Sequence, residues 1–354
     1  MDYFKESLKL HERLQKIDFV SKAELKTKDD LSLAYSPGVA EPCREIAKDP
    51  ENAYKYTIKA NTVAVISDSA VLLGNILAGL PVMEGKCALF KAFAVNAFPI
   101  VLDTQDTEEI IATIKHISPT IINLEDISSP RCFEIEERLK AELDIPVFHD
   151  DQHGTAIVCL AVINLKITKK KEDLKIVINV AAGIAITKLL LEYIKDIIAV
   201  DSKIIYEREN LNTEKEILSK ITNKNLQKTL SDAVKGRDVF IVSVAALTPE
   251  MVKSMASDPM VFAMANPIPE IMPDEAKAAV KIIATRSDFP NQLNNVLVFP
   301  GIFKALKNRV TKITEQMKLN AAEALAAYVK NPTPEKIIPS PFDEVVDAIA
   351  NVIK

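Results

Sequence analysis

What most constrains the fold of this sequence is a rhythm: short runs rich in valine and isoleucine alternate with helical patterns along most of the chain. The runs fall at 62–66, 99–102, 120–123 and 146–148, then at 175–178, 197–200, 239–243, 261–264, 281–284 and 296–298. They are nearly continuous in apolar residues and do not alternate with polar ones, as expected of strands covered on both faces of a parallel sheet. Helical spacing fills the intervals, clearest at 107–117, 132–143, 183–193 and 230–235. Strand, helix, strand in two series predicts an α/β chain with two parallel-sheet domains, the second of them Rossmann-like. Helical stretches at 1–17 and 303–354 flank them. The domains are expected at 1–152 and 153–354, joined by an apolar helix over 155–165 and a solvated lysine-rich turn at 169–171.

Composition narrows the function classes. The 354 residues carry a formal net charge of −5, which steers the protein neither to nucleic acid nor to an anionic membrane. No apolar run is long enough to span a bilayer. The opening residues MDYFKE lack the basic-then-apolar layout of a secretion signal, and the 4 cysteines have no CxxC spacing. A cytoplasmic protein with reduced thiols is expected. Glycine is scarce: 8 occur, where average usage would give about 25.

Four groups of residues could carry chemistry. Glu125-Asp126 and Asp150-Asp151 each follow an apolar run, so both pairs fall just past the C-terminal end of an expected strand. Open α/β sheets bind ligands there, and gathered carboxylates suit a hard cation such as Mg²⁺ or Mn²⁺. On spacing alone the plainer use is favoured: Asp150 or Asp151 can cap a helix starting near Gly154, and Glu125-Asp126 can be a solvated loop before a helix opened by Ser129-Pro130. His149 and His153 read as hydrogen-bonding residues of a loop and a first turn, not as zinc ligands. A second group runs from the strand at 175–178 through Ala181, Ala182 and Gly183 into a helix, with Asp201 closing the next strand. That is the layout of a dinucleotide site, though without GxGxxG, and an acid at the ribose favours NAD over NADP. Tyr35 and Lys86 are capable of acid–base work if their surroundings tune them, as few isolated residues of these types are. Asn266 and Asn295 close or precede apolar runs, where asparagine more often makes turns than binds substrate.

Taken together, the segments LAYSPGVAEPCREIA (33–47), LPVMEGK (80–86), INLEDISSPRCFEIEERL (122–139), PVFHDDQHGTAIV (146–158), ANPIPEI (265–271) and RSDFPNQLNNVLVFPGIF (286–303) resemble the short bacterial and archaeal malic enzymes. The likeness runs from about residue 25 to 342, and NLED with PVFHDDQHGTA is its most specific part. It implies oxidative decarboxylation of L-malate to pyruvate and CO₂, with NAD or NADP and a divalent cation (Mn²⁺ or Mg²⁺), in a homodimer. By motif it implies Tyr35 as general acid, Lys86 as general base, and Asp150 as a neighbouring carboxylate. Glu125, Asp126 and Asp151 match metal ligands. Asn266 and Asn295 match substrate-side amides, and Ala182, Gly183, Asp201 and Asn266 fall to the cofactor. Lys86 would have to be neutral to accept a proton, which burial near a cation promotes. A stripe at Leu10, Leu14 and Ile17 fits packing into a dimer or onto a core.

The same likeness implies more residues, chiefly glycine, than the chain has at 67–77, 179–183, 203–204, 207–208, 285–286 and 304–305. Losses in strand–helix turns should cripple cofactor binding, because other residues do not readily take the backbone angles glycine takes. Decay would also have eroded Tyr35, Lys86 and the acids, which are all in place, so omission of residues from the written sequence is favoured over their loss. Two rivals remain open: conversion of malate to lactate, and an inactive module that keeps the fold without holding a dinucleotide.

Overall fold

The computed structural model describes residues 2–14, 16–70, 75–117, 121–166, 170–179, 183–200, 211, 213–223, 227, 229–242, 247–265, 268–276, 282–285, 291–306, 310–333 and 336–354. The chain divides into two compact units. The first comprises Met1–Ser128, Ile135–Val147 and Leu306–Lys312; the second comprises Ser129–Glu134, Phe148–Ala305 and Ile313–Lys354.

The first unit opens with three helices, α1 (Tyr3–Leu14), α2 (Lys28–Ala34) and α3 (Ala40–Lys48), none of which buries a residue. The short α4 (Ala53–Tyr56) leads to β1 (Thr62–Ser67), whose every residue is buried. β2 (Asn96–Val101) and β3 (Ile121–Leu124) pair with β1 in parallel, one on each side. With β4 (Val147–His149) the sheet order is β2-β1-β3-β4. The expected continuous apolar runs are therefore buried parallel strands.

Helix α5 (Ile76–Phe93) connects β1 to β2, and α6 (Thr107–Lys115) connects β2 to β3. Met83, Cys87 and Phe90 of α5 are fully buried, and α6 buries Ile110, Ile111 and Ile114. Asp106 starts α6 by accepting a hydrogen bond from the Glu109 amide, 3.0 Å away. α7 (Arg131–Glu142) precedes β4. It begins at Arg131, so the proline expected to open it stands one residue before the helix.

In the second unit, β5 (Lys175–Asn179), β6 (Asp196–Val200), β7 (Val239–Val242), β8 (Met260–Ala263) and β9 (Ile282–Thr285) form one parallel sheet. Its order is β6-β5-β7-β8-β9, with the strand order reversing between β5 and β7. α8 (Asp150–Lys166) enters the unit and α9 (Ile184–Leu191) links β5 to β6. Then come α10 (Thr213–Ile221), α11 (Leu230–Val234), α12 (Pro249–Lys253) and α13 (Pro273–Ala276). α14 (Phe299–Leu306), α15 (Glu315–Tyr328) and α16 (Val345–Ala350) complete the chain. The expected helical stretch from 303 onward is thus three separate helices.

Two expectations need correcting. Residues 296–298 form no strand: Asn295–Leu297 is a single 3₁₀ turn, opened by the Asn294 side chain accepting from the Val296 amide at 3.0 Å. A short buried apolar run does not by itself distinguish a strand from a helical turn. The helix expected near Gly154 starts four residues earlier, at Asp150, so Asp150 and Asp151 form its first turn. Among the described residues no helix is long and apolar enough to cross a membrane.

Candidate active site

Lys86 lies on the buried face of α5, in the same stripe as Gly79, Met83, Cys87 and Phe90. An ammonium group among apolar neighbours is costly unless paired. Its partner is Glu125, one residue past β3, with Lys86 Nζ 2.9 Å from Glu125 Oε1. The other carboxylate oxygen accepts from Asn123 Nδ2 at 2.8 Å. Asn123 and Glu125 are two residues apart, a spacing that puts them on the same side of an extended strand. All three side chains are buried. Asn123 was not singled out from the sequence, although the period of two in Asn123-Leu124-Glu125 was the signal.

Asp126 follows with φ = 53°, a left-handed backbone conformation uncommon outside glycine. Its neighbour Glu125 donates its amide to Ile66 O of β1 at 2.9 Å, continuing the sheet hydrogen bonding past the end of β3. Strain held at the end of a buried strand is often a mark of function.

Cys87, next to Lys86, has its thiol pushed up to about 12, first by burial and then by the charges of Glu84 and Glu125. It stays protonated at neutral pH and is no nucleophile. Tyr35 is placed differently. It stands at the C-terminal end of α2, where its amide donates to Leu31 O at 2.9 Å, and its side chain is 69% exposed.

In the second unit Asp150 is fully buried in the first turn of α8, where the helix dipole favours an anion. A Cβ placed on Gly154 would lie 2.1 Å from Asp150 Oδ1 and 3.0 Å from the Cβ of Asn295. Glycine at 154 is thus what lets the acid and the buried Asn295 come so near the same point. His153 meets the buried Lys318 of α15, Nδ1 to Nζ 3.1 Å, and Lys318 also donates to Glu315 at 2.6 Å. His153 therefore has the hydrogen-bonding use expected of it.

The junction after β5 is built for close approach. Gly183 caps the N-terminal end of α9, and a Cβ there would lie 2.4 Å from Asn179 O and 2.7 Å from Ile178 Cγ2. Only a residue without a side chain lets the helix start this close to the strand, as a dinucleotide turn requires. Three residues assigned to cofactor or substrate, Ala182, Asp201 and Asn266, lie outside the described residues. Glu270 accepts from the Ala265 amide at 3.1 Å, just before Asn266, and burial raises its carboxyl above the usual range.

The carboxylates that the likeness assigns to a metal, Glu125, Asp126 and Asp151, are hard oxygen donors of the kind suited to Mg²⁺ or Mn²⁺. Among the described residues, no three His, Cys, Asp or Glu side chains form a cluster that could hold a metal.

Comparison with known proteins accounts for both units. Residues 13–140 match the family model of the malic enzyme N-terminal domain, and residues 153–353 match that of the malic enzyme NAD-binding domain. The bifunctional malic/malolactic enzyme of Bacillus subtilis is 53% identical, covering 100% of this chain and 92% of the relative. The NAD-dependent malic enzyme of Geobacillus stearothermophilus is 54% identical over 96% of this chain and 76% of its own. In structure, the NAD-dependent malic enzyme of Thermotoga maritima aligns with a TM-score of 0.94 at 44% identity, covering 98% of each chain. The alignment with the Bacillus relative extends over 379 positions against 354 residues here, so about 25 positions of that relative have no counterpart in this chain.

Proposed function

Because the chain belongs to the malic enzyme family, we propose that it oxidises L-malate at C2 and releases CO₂ to leave pyruvate. The observation carrying this reading is the buried Lys86–Glu125–Asn123 array, an acid–base group set into a parallel-sheet unit that matches the family's N-terminal domain. When bound, a nicotinamide dinucleotide would supply the hydride acceptor, and a divalent cation would supply a Lewis acid at the C2 oxygen. The close approach at Gly183 supports the first, and the hard-oxygen donor set Glu125, Asp126 and Asp151 supports the second.

Lys86 takes the proton of the C2 hydroxyl. Glu125 at 2.9 Å favours the ammonium form, so the amine a base requires arises when that carboxylate is engaged elsewhere, as a metal ligand would be. Tyr35 returns a proton to C3 after CO₂ departs. Asp150 serves as a further carboxylate of the reaction. Asn266 and Asn295 bind substrate carboxylate and hydroxyl oxygens, and Asn266 also serves the cofactor. Ala182 and Gly183 receive the pyrophosphate. Asp201 accepts from the adenosine ribose and repels a 2′-phosphate, so NAD is preferred over NADP. Residues 1–152 carry substrate and metal, and 153–354 carry the dinucleotide. The protein works as a homodimer in the cytoplasm.

The test is reduced-cofactor formation from L-malate, with NAD and NADP in parallel, with Mn²⁺ or Mg²⁺, and with a chelator. A rate that needs metal and favours NAD is expected; folded protein with no rate would leave the inactive-module reading. A second reading, malate to lactate, is favoured by likeness to the malic/malolactic relative of Bacillus subtilis. Lactate formed without net reduced cofactor would establish it.

A further inference from the structure

Lys318 is a buried charge for which the proposed reaction has no use. It is 3% exposed and stands at the end of the first turn of α15, the positive end of a helix, where a cation is disfavoured. α15 packs on α8, and an apolar side chain of similar size would fill that contact without taking an ammonium group out of water. Glu315, three residues earlier, pairs with Lys318 at 2.6 Å. That carboxylate is 60% exposed, and a partner so open to solvent offsets little of the cost.

The ammonium also reaches His153, with Nζ 3.1 Å from Nδ1. An ammonium only donates, so Nδ1 accepts and the ring proton sits on Nε2. The ring of His153 rests against Phe148 of β4, centroids 5.3 Å apart and planes at 42°. Phe148 in turn meets Phe303 of α14 edge-on at 5.7 Å. The face of the imidazole is thus held by packing and one edge by a charged hydrogen bond. His153 follows Asp150 by three residues and Asp151 by two, all within the first stretch of α8. Residues three apart lie on one side of a helix, so Asp150 and His153 move together. Fixing the imidazole fixes the turn that carries both acids.

We propose that Lys318 is a positioning residue, which through His153 sets the first turn of α8, and with it Asp150 and Asp151, for a divalent cation. The inference rests on the reading of those two acids as carboxylates of the metal-dependent reaction. The buried lysine is retained for geometry, and its loss is felt in metal binding before it is felt in the fold.

The test follows Mn²⁺ binding by the electron paramagnetic resonance of the free ion, with urea titration as the control on folding. Lys318→Met keeps most of the side chain and removes the donor. It should weaken Mn²⁺ binding about 10- to 100-fold, as loss of a group that orients a metal ligand does. The urea midpoint should stay at or above that of wild type, as when a buried ion is replaced by an apolar group. His153→Phe keeps a ring against Phe148 without its nitrogens, and adding Lys318→Met to it should weaken Mn²⁺ binding no further. Unchanged Mn²⁺ binding in Lys318→Met overturns the proposal, and so do losses that simply add in the double variant.

If Lys318→Met does not fold, the wild type decides. Nitrogen-15 resonances of its 4 histidines, with that of His153 identified by its absence in His153→Phe, should show His153 protonated at Nε2. A ring protonated at Nδ1 overturns the proposal. Wild type that binds Mn²⁺ but leaves malate unchanged ends the functional reading, while the Mn²⁺ measurements still decide the role of Lys318. Folded wild type that binds no Mn²⁺ overturns the proposal as well.

Discussion

The turn after β3 and the turn after β5 follow one architectural rule with opposite contents. Each lies where a buried parallel strand ends, the place where open α/β sheets put their ligands. After β3 the chain sets down charged groups: Glu125 gripped by Lys86 and Asn123, then Asp126 held at positive φ. After β5 the described turn residue, Gly183, contributes the absence of a side chain. One junction is specified by chemistry and the other by shape. They should therefore fail differently when altered.

The largest effect is expected at the chemical junction. Lys86→Met should lower turnover by roughly 10²- to 10⁴-fold, the usual range for a lost acid or base. It also strands Glu125 as a buried carboxylate without its cation, at a cost of about 3–5 kcal/mol. Adding Glu125→Gln to it should restore most of the stability in a urea titration and none of the activity. If stability stays low in the double variant, the ion pair is not what holds α5 to β3.

At the junction built by shape, Gly183→Val should act on binding. Its side chain has to displace Asn179 O or push α9 outward, at about 1–3 kcal/mol of overpacking. The KM for dinucleotide should rise about tenfold, the equivalent of 1.4 kcal/mol, with kcat largely kept. A fall in kcat at unchanged KM would show that this junction is chemical after all.

The smallest effect concerns Cys87. Its thiol ionises near 9 when unfolded and is pushed up to about 12 in the folded chain. The folded state thus keeps a proton the unfolded state releases, so this contribution to stability is full below pH 9 and is lost as the pH climbs towards 12. Urea midpoints of Cys87→Ala should fall less steeply across that window than those of wild type.

The same contrast governs what could be read from the sequence. Strands such as 62–66 and 175–178 were legible because burial on both faces leaves an apolar run. α5 was not, because Gly79, Pro81 and Gly85 interrupt a helix with apolar residues on most sides and hence no clear period. The acids were placed at strand ends by pattern alone. Lys86 could not be told from any other lysine without the family likeness, since its meaning depends on Glu125, 39 positions away. Gly183 showed its constraint only when its neighbours had coordinates.

The position of Lys86 in the apolar stripe of α5 also bears on the order of assembly. α5 precedes β3 in the chain, and docked without β3 it would bury Lys86 without the Glu125 carboxylate that pairs with it. The pair therefore ties the burial of this helix to the strand that follows it, and the two are expected to come apart together. Hydrogen exchange should find α5 and β3 opening as one unit.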